Sequence, residues 1–147
     1  MYKNILLPVD GSEFAMGSVP YALKLAKSIG ARITAIHVTA PYSTIAIGAL
    51  ASFLAADDYI KRAKANAAVV LDQVKHAAQE TDVLVTTCQI EHAHPWEAII
   101  RTAADQGCDL ILMASHGRRG LVGVLLGSET KKVLTHTTIP VLVWRGA

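Results

Sequence analysis

Short apolar runs alternate along this chain with segments whose apolar positions recur every three or four residues. Residues 3–9 are apolar almost throughout and close on Asp10-Gly11, the pattern of a strand buried on both faces. Ser12 and Glu13 then offer a helix cap and a first-turn acid. Ala22, Leu25, Ala26 and Ile29 form an apolar face ending at Gly30. Pro20 either kinks this helix or marks a start near Ser18, since an interior proline costs about 3 kcal/mol. Residues 32–38 read as a second strand. From Asp57 to about Glu80, Ile60, Ala63, Ala67, Val70, Leu71, Val74 and Ala78 share one helical face. Residues 82–91 form a β-branched third strand, and Pro95 suits the first turn of a helix that stops at Gly107. Residues 109–114 make a fourth strand, Gly127-Ser128 opens a last helix through about His136, and residues 140–144 make a fifth strand.

Strands alternating with helices predict an α/β fold, a doubly wound, five-stranded parallel sheet with helices on both faces, and the expected strand order is 3-2-1-4-5, taken from doubly wound folds. At 147 residues the chain suits one domain, spanning residues 1–147. Ligands of such a sheet bind beyond the carboxyl ends of its strands, where strand order reverses. Between Ile33 and Ala56 there is no charged residue, a length that could cross a bilayer. His37, Pro41, Gly48 and several hydroxyl residues interrupt it, so it reads as a strand and a loop, with no membrane span.

Composition narrows the class. Apolar residues make up 52% of the chain and charged residues 18%, which is globular rather than disordered. Fourteen basic against twelve acidic residues leave a formal charge of +2, too even to point to nucleic acid. Residues 1–10 are too short and too soon acidic for a signal-peptide core. Cys88 and Cys108 form no metal or redox spacing and read as small buried hydrophobes in a reducing, cytoplasmic setting.

The informative segment follows the fourth strand. Four of the ten glycines lie between Gly117 and Gly127, with Arg118 and Arg119 among them and Ser128 after them as the expected N-cap. A glycine-rich link into a helix can turn its N–H groups onto phosphate oxygens, or can merely be a flexible loop. It matches neither the P-loop nor the dinucleotide fingerprint.

Ile5-Leu6-Leu7-Pro8-Val9-Asp10-Gly11-Ser12, Ala114-Ser115-His116-Gly117 with Gly127-Ser128, and Ile139-Pro140-Val141-Leu142-Val143 together resemble the universal stress protein family over essentially the whole chain. Its nucleotide-binding branch carries two glycines separated by two residues, then nine residues, then Gly followed by Ser or Thr. Here Gly117, Gly127 and Ser128 fit, and Ala114 stands in place of the first glycine. The resemblance implies ATP or another adenine nucleotide, with Mg2+ or Mn2+ carried on its phosphates. It implies that Asp10 holds the ribose hydroxyls and that Pro8 and Val9 line the base. The Val38 backbone would read the adenine edge with Met113 packed nearby, and Gly117, Gly127, Ser128 and the Glu129 backbone would hold the phosphates. A stress-response or signalling module, at most a slow ATPase, follows.

Two alternatives stand beside it: an interaction protein of the same fold that binds no nucleotide, and a metal-dependent nucleotide hydrolase using Asp10 and His116. His92 and His94 could be imagined as a metal pair but read better as a surface loop. Ser115 and His116 resemble a nucleophile and base, yet adjacent residues are not expected to face each other, and no catalytic residue is assigned. The apolar loop from about Pro41 to Ala56 is expected to cover the nucleotide or a partner. The fifth strand, from Pro140 to Trp144, is expected on an edge and apolar. It should pair with its copy in a homodimer, as the family resemblance also implies. The competing expectation is a Trp144 packed inside its own subunit.

Overall fold

Alternation along the central strands decides which helix covers which face. In a computed structural model the structure describes residues 1–46, 56–116 and 126–146. The elements are β1 (Asn4–Pro8), α1 (Glu13–Ile29), β2 (Arg32–Thr39), α2 (Tyr42–Ala46), α3 (Ala56–Ala78), β3 (Val85–Glu91), α4 (Pro95–Asp105), β4 (Leu110–Ala114), α5 (Ser128–His136) and β5 (Val141–Trp144). They form a five-stranded, all-parallel sheet of order β3-β2-β1-β4-β5, the α/β architecture expected from the sequence. Ile5, Leu7, Ile33, Ala35, Leu110 and Leu112 point to one face and pack under α1 and α3. Leu6, Ile36, Ile111 and Met113 point to the other, under Ile99 and Ala103 of α4 and Val133 of α5. The helices therefore change face where the chain leaves β3 and returns to β4 beside β1, as a doubly wound sheet requires.

Local chemistry explains where the boundaries depart from expectation. Ser12 caps α1 by accepting from the Ala15 N–H at 3.1 Å, and Gly30, at φ 68°, ends it in the left-handed region. Pro20 lies inside this helix, on its exposed side, so the start near Ser18 is excluded; Val19, Ala22, Leu23 and Ala26 anchor the helix around it. The third strand begins at Val85, not at Asp82, because Asp82 turns the chain at φ 59°, a conformation that aspartate tolerates better than most residues. The apolar stripe of α3 is buried from Ala67 onward, whereas Ile60 is 37% exposed. The fourth strand begins at Leu110, since Asp109 is used as an acceptor instead. Both its oxygens take the Lys3 N–H (3.0 and 2.9 Å) and one also takes the Asn4 N–H at 3.0 Å.

Cys108 is buried and Cys88 partly so, both as free thiols. Burial raises both thiol pKa values, and the neighbouring Cys108 adds to the effect at Cys88. No helix among the described residues is long and apolar enough to cross a membrane. The expected lid falls partly on α2, where Tyr42 packs on Tyr59 of α3 with ring centres 5.6 Å apart; residues 47–55 lie outside the described residues.

Candidate functional site

The reversal of strand order falls between β1 and β4, and the candidate residues come from the carboxyl ends of those strands and of β2. Past Pro8, the Val9 N–H donates to the Ile36 carbonyl at 2.9 Å, and the chain turns through Gly11 at φ 79°, a conformation glycine adopts without strain. Asp10 accepts the Ser12 N–H at 2.9 Å, so its carboxylate is oriented by the same turn that caps α1. On β2 the odd residues bond toward β3, as the Thr39 carbonyl with the His92 N–H shows, and Ile36 bonds toward β1. The peptide groups of Val38 consequently face the β1 side, beyond the last β1–β2 pair, Pro8 with Ile36.

Across the reversal, α5 is fastened to the end of β4. The Gly127 N–H donates to the Ser115 carbonyl at 2.6 Å, and the Thr130 hydroxyl reaches the Ala114 and Ser115 carbonyls at 3.2 and 3.4 Å. Gly127, not Ser128, is the N-cap: its backbone is extended at φ −65° and ψ 159°, and its carbonyl accepts the Lys131 N–H at 3.0 Å. Ser128 is the first helical residue. A helix start has N–H groups without intrahelical acceptors, and a glycine cap brings no side chain to them. Glycine is needed here for closeness rather than for its dihedrals. A Cβ at Gly127 would stand 3.1 Å from the Ser115 carbonyl oxygen and 3.5 Å from the His116 Cα.

The structure thus brings Pro8, Val9, Asp10 and the Val38 backbone to one side of the reversal, with Met113, Ala114, Gly127, Ser128 and Glu129 on the other. Met113 and Ala114 are buried in β4. Gly117 lies outside the described residues. The Glu129 carboxylate does something the sequence does not suggest. It accepts the Trp96 N–H at 2.9 Å and so serves the start of α4, whose own N-cap, His94, makes no side-chain bond.

Two more residues at this edge escaped the sequence reading. Phe14, in the first turn of α1, lies between His116 and Trp144, with ring centres 5.6 and 5.1 Å away. His37 on β2 is 4% exposed, and its Nδ1 lies 2.9 Å from the Val9 carbonyl. Its signal was available: it is a basic side chain in the middle of an apolar run.

Ser115 and His116 do face each other, contrary to expectation, with Oγ and Nδ1 2.9 Å apart. Ser115 is only 1% exposed, which keeps its hydroxyl from an external substrate. His92 and His94 lie in the β3–α4 loop, where the His92 Nδ1 accepts the His94 N–H at 2.9 Å and its Nε2 stands 3.7 Å from Glu97. No group of three metal-ligating side chains occurs among the described residues. A separate hollow of about 190 Å3 between α3 and the ends of β2 and β3, lined by Thr39, Tyr59, Lys64 and Glu91 among others, contains none of the candidate residues.

These features define a doubly wound α/β protein whose strand-order reversal is flanked by an acidic turn and a glycine-capped helix. The chain belongs to the universal stress protein family, whose model matches residues 1–145. It is 32% identical to universal stress protein MJ0531 of Methanocaldococcus jannaschii, over 97% of this chain and 82% of that one. Its fold superposes on universal stress protein UspA from Lactobacillus plantarum with a TM-score of 0.83 at 26% identity, covering 98% of both chains. Two more distant members share the fold and were solved with nucleotides. One is a complex with cAMP (TM-score 0.69, 19% identity, 99% of this chain and 98% of that one). The other, from Archaeoglobus fulgidus, is a complex with dAMP (0.65, 13%, 97% of both).

Proposed function

We propose that this chain, as one domain over residues 1–147, binds an adenine nucleotide, with ATP the preferred form, and acts as a nucleotide-dependent stress-response or signalling module. The observation that carries this reading is Gly127. Its closeness to the end of β4 aims the start of α5 at the strand-order reversal, where N–H groups and the helix dipole favour phosphate. Asp10 stands across the reversal, and a carboxylate can accept both hydroxyls of a ribose diol. Pro8, Val9, Val38 and Met113 would line the base, and Gly117, Ser128 and the Glu129 backbone would complete the phosphate cradle. The described residues supply no carboxylate cluster for a cation, so Mg2+ or Mn2+ would arrive on the phosphates. Any hydrolysis would be slow, because no side chain in this set is placed as a base for water.

Melting in Mg-ATP tests the reading. A ligand that binds only the folded state adds RT ln(1 + [L]/Kd), so a hundredfold excess over Kd should raise Tm by about 5–10 °C. A flat Tm would favour the interaction protein that binds no nucleotide, and rapid turnover abolished by His116→Ala would favour the metal-dependent hydrolase.

We further propose a cytoplasmic homodimer paired through β5. That strand forms one edge of the sheet, and Val141, Leu142 and Val143 remain half-buried in the single chain, an edge that invites a partner strand. Trp144 itself turns inward, onto Phe14 and Gly17 of its own α1, so Val141 to Val143 would carry the contact. Light scattering should show a dimer for the wild type and a folded monomer for Val141→Lys; a monomeric wild type excludes this interface.

A further inference from the structure

We propose that His37 is a positioning residue for the ribose end of this site, holding the turn that presents Asp10 and so favouring ribonucleotides over deoxyribonucleotides. The inference rests on the adenine-nucleotide reading above.

β1 and β2 pair as far as Pro8 and Ile36, and one further backbone bond, from the Val9 N–H to the Ile36 carbonyl, closes their ladder at 2.9 Å. The carbonyl of Val9 is then met by a side chain: the His37 Nδ1, 2.9 Å away and buried. A carbonyl only accepts, so Nδ1 carries the proton in this contact. The imidazole thereby extends the grip of β2 on β1 to the peptide that joins Val9 to Asp10. From the other side, the Asp10 carboxylate accepts the Ser12 N–H at 2.9 Å, and Ser12 accepts the Ala15 N–H at the start of α1. The backbone of Asp10 is held by the ring and its side chain by the turn. Both constraints are needed to aim a carboxylate, because a group held within about 0.5 Å of its productive position depends on the bonds behind it. A diol engages both carboxylate oxygens, whereas a 2′-deoxyribose offers one hydroxyl fewer and gains less from the alignment.

The test compares Mg-ATP with Mg-2′-deoxyATP by titration calorimetry on wild type, His37→Asn and His37→Gln. The asparagine amide can place an N–H near the position of Nδ1, while the longer glutamine places its amide beyond it. One charge-assisted hydrogen bond corresponds to about a tenfold preference for ATP in the wild type. His37→Asn should keep that ratio within about twofold, and His37→Gln should bring it near one, mainly by weakening ATP. Equal weakening of both nucleotides in His37→Gln, or an unchanged ratio with a lower Tm, would make His37 structural only and overturn the proposal. Should the glutamine protein not fold, an asparagine protein that loses the ratio overturns it and one that keeps it supports it. A wild type that binds both nucleotides equally also overturns it and leaves the nucleotide reading standing. A wild type that binds neither removes that reading itself.

Discussion

At the amino end of the central strands side chains clamp distant segments together, whereas at the carboxyl end two glycines set where the chain turns. The Asp109 carboxylate takes the N–H groups of Lys3 and Asn4. The Asn4 amide donates to the Gln106 carbonyl at 3.1 Å and accepts from the Thr34 hydroxyl at 3.0 Å. Asn4 and Thr34 are both buried, and a buried polar group without a partner would be expensive. At the other end the same β1 and β4 finish in a glycine turn and a glycine-capped helix, and the His37 and Thr130 side chains there hold backbone carbonyls of the strand ends. Side chains answering one another across distant segments make a clamp; the glycine turn and the glycine cap are what the proposed receptor would be built on. The two ends should therefore respond differently to substitution.

The largest expected effect is at the receptor end. Gly127→Val places a branched side chain against the Ser115 carbonyl, which even a single Cβ would meet at 3.1 Å. The start of α5 must move away from β4, and nucleotide affinity should fall by a hundredfold or more, roughly 3 kcal/mol. Stability should fall by a smaller amount, about 1–2 kcal/mol. Calorimetric titration and thermal melting separate the two. A Gly127→Val protein that binds ATP as the wild type does would move the phosphate site elsewhere.

The clamp should show the converse: lost stability with unchanged binding. Asp109→Asn replaces a charged acceptor of two backbone N–H groups, and about 1–2 kcal/mol of stability should go, the lower part of the range for charged hydrogen bonds because the site is partly solvated. Burial alone would raise the Asp109 pKa. The Asn4 and Lys3 N–H groups, with the Lys3 charge, outweigh it and hold the carboxyl below its usual range. A depressed folded-state pKa contributes stability that is fully present above the unfolded value, near 3.9, and is lost as pH falls through the folded value. The difference between wild type and Asp109→Asn should hence be level at neutral pH and shrink only below about pH 4. A difference that fades between pH 6 and 8 would assign the stabilisation to another group.

The same contrast explains what could be read from sequence. The parallel sheet with helices on both faces followed from the alternation of apolar runs with helical stripes, because central strands buried on both faces leave little else to do with residues such as Ile5, Leu6 and Leu7. The elements of the candidate site followed from family motifs carried mostly by glycines and by Asp10. What escaped were contacts between distant segments. Asp109 looks like the first residue of a strand until Lys3 and Asn4 are beside it. The Glu129 carboxylate serves α4 only because α4 and α5 lie together on one face, and His37 meets Val9 only once β1 has ended. The N-cap was misplaced by one residue, since serine is the commoner cap and the approach of Gly127 to Ser115 has no signature in the sequence.

A smaller effect sharpens the receptor side. Ala114→Gly would restore the family's first glycine. Its carbonyl already accepts from Thr130, a bond that does not involve the Ala114 methyl, so affinity should stay equal or improve by no more than about threefold. Glycine within a strand should lower stability by about 0.5–1 kcal/mol. A clear loss of affinity would mean that the methyl contacts the ligand.

The smallest effect concerns how the receptor's aromatic flank is set. Trp144 ends β5 opposite Ala114 and lies over α1, where a Cβ on Gly17 would stand 2.9 Å from the Trp144 Cη2. Two terms oppose each other in Gly17→Ala. Alanine in place of glycine inside a helix is worth about 1 kcal/mol in favour, while overpacking a fitted contact costs about 1–3 kcal/mol. The nearest atom is the far end of the indole, which would move cheaply on its own. Phe14 packs at a tilt against the same ring, centres 5.1 Å apart, and meets His116 on its other side, so a shift of Trp144 must carry that group with it. The overlap should win narrowly, leaving Gly17→Ala less stable by about 0.5–1 kcal/mol in chemical denaturation. A protein stabilised by the full helix-propensity increment would show that Trp144 moves freely and that the aromatic group does not hold this flank of the site.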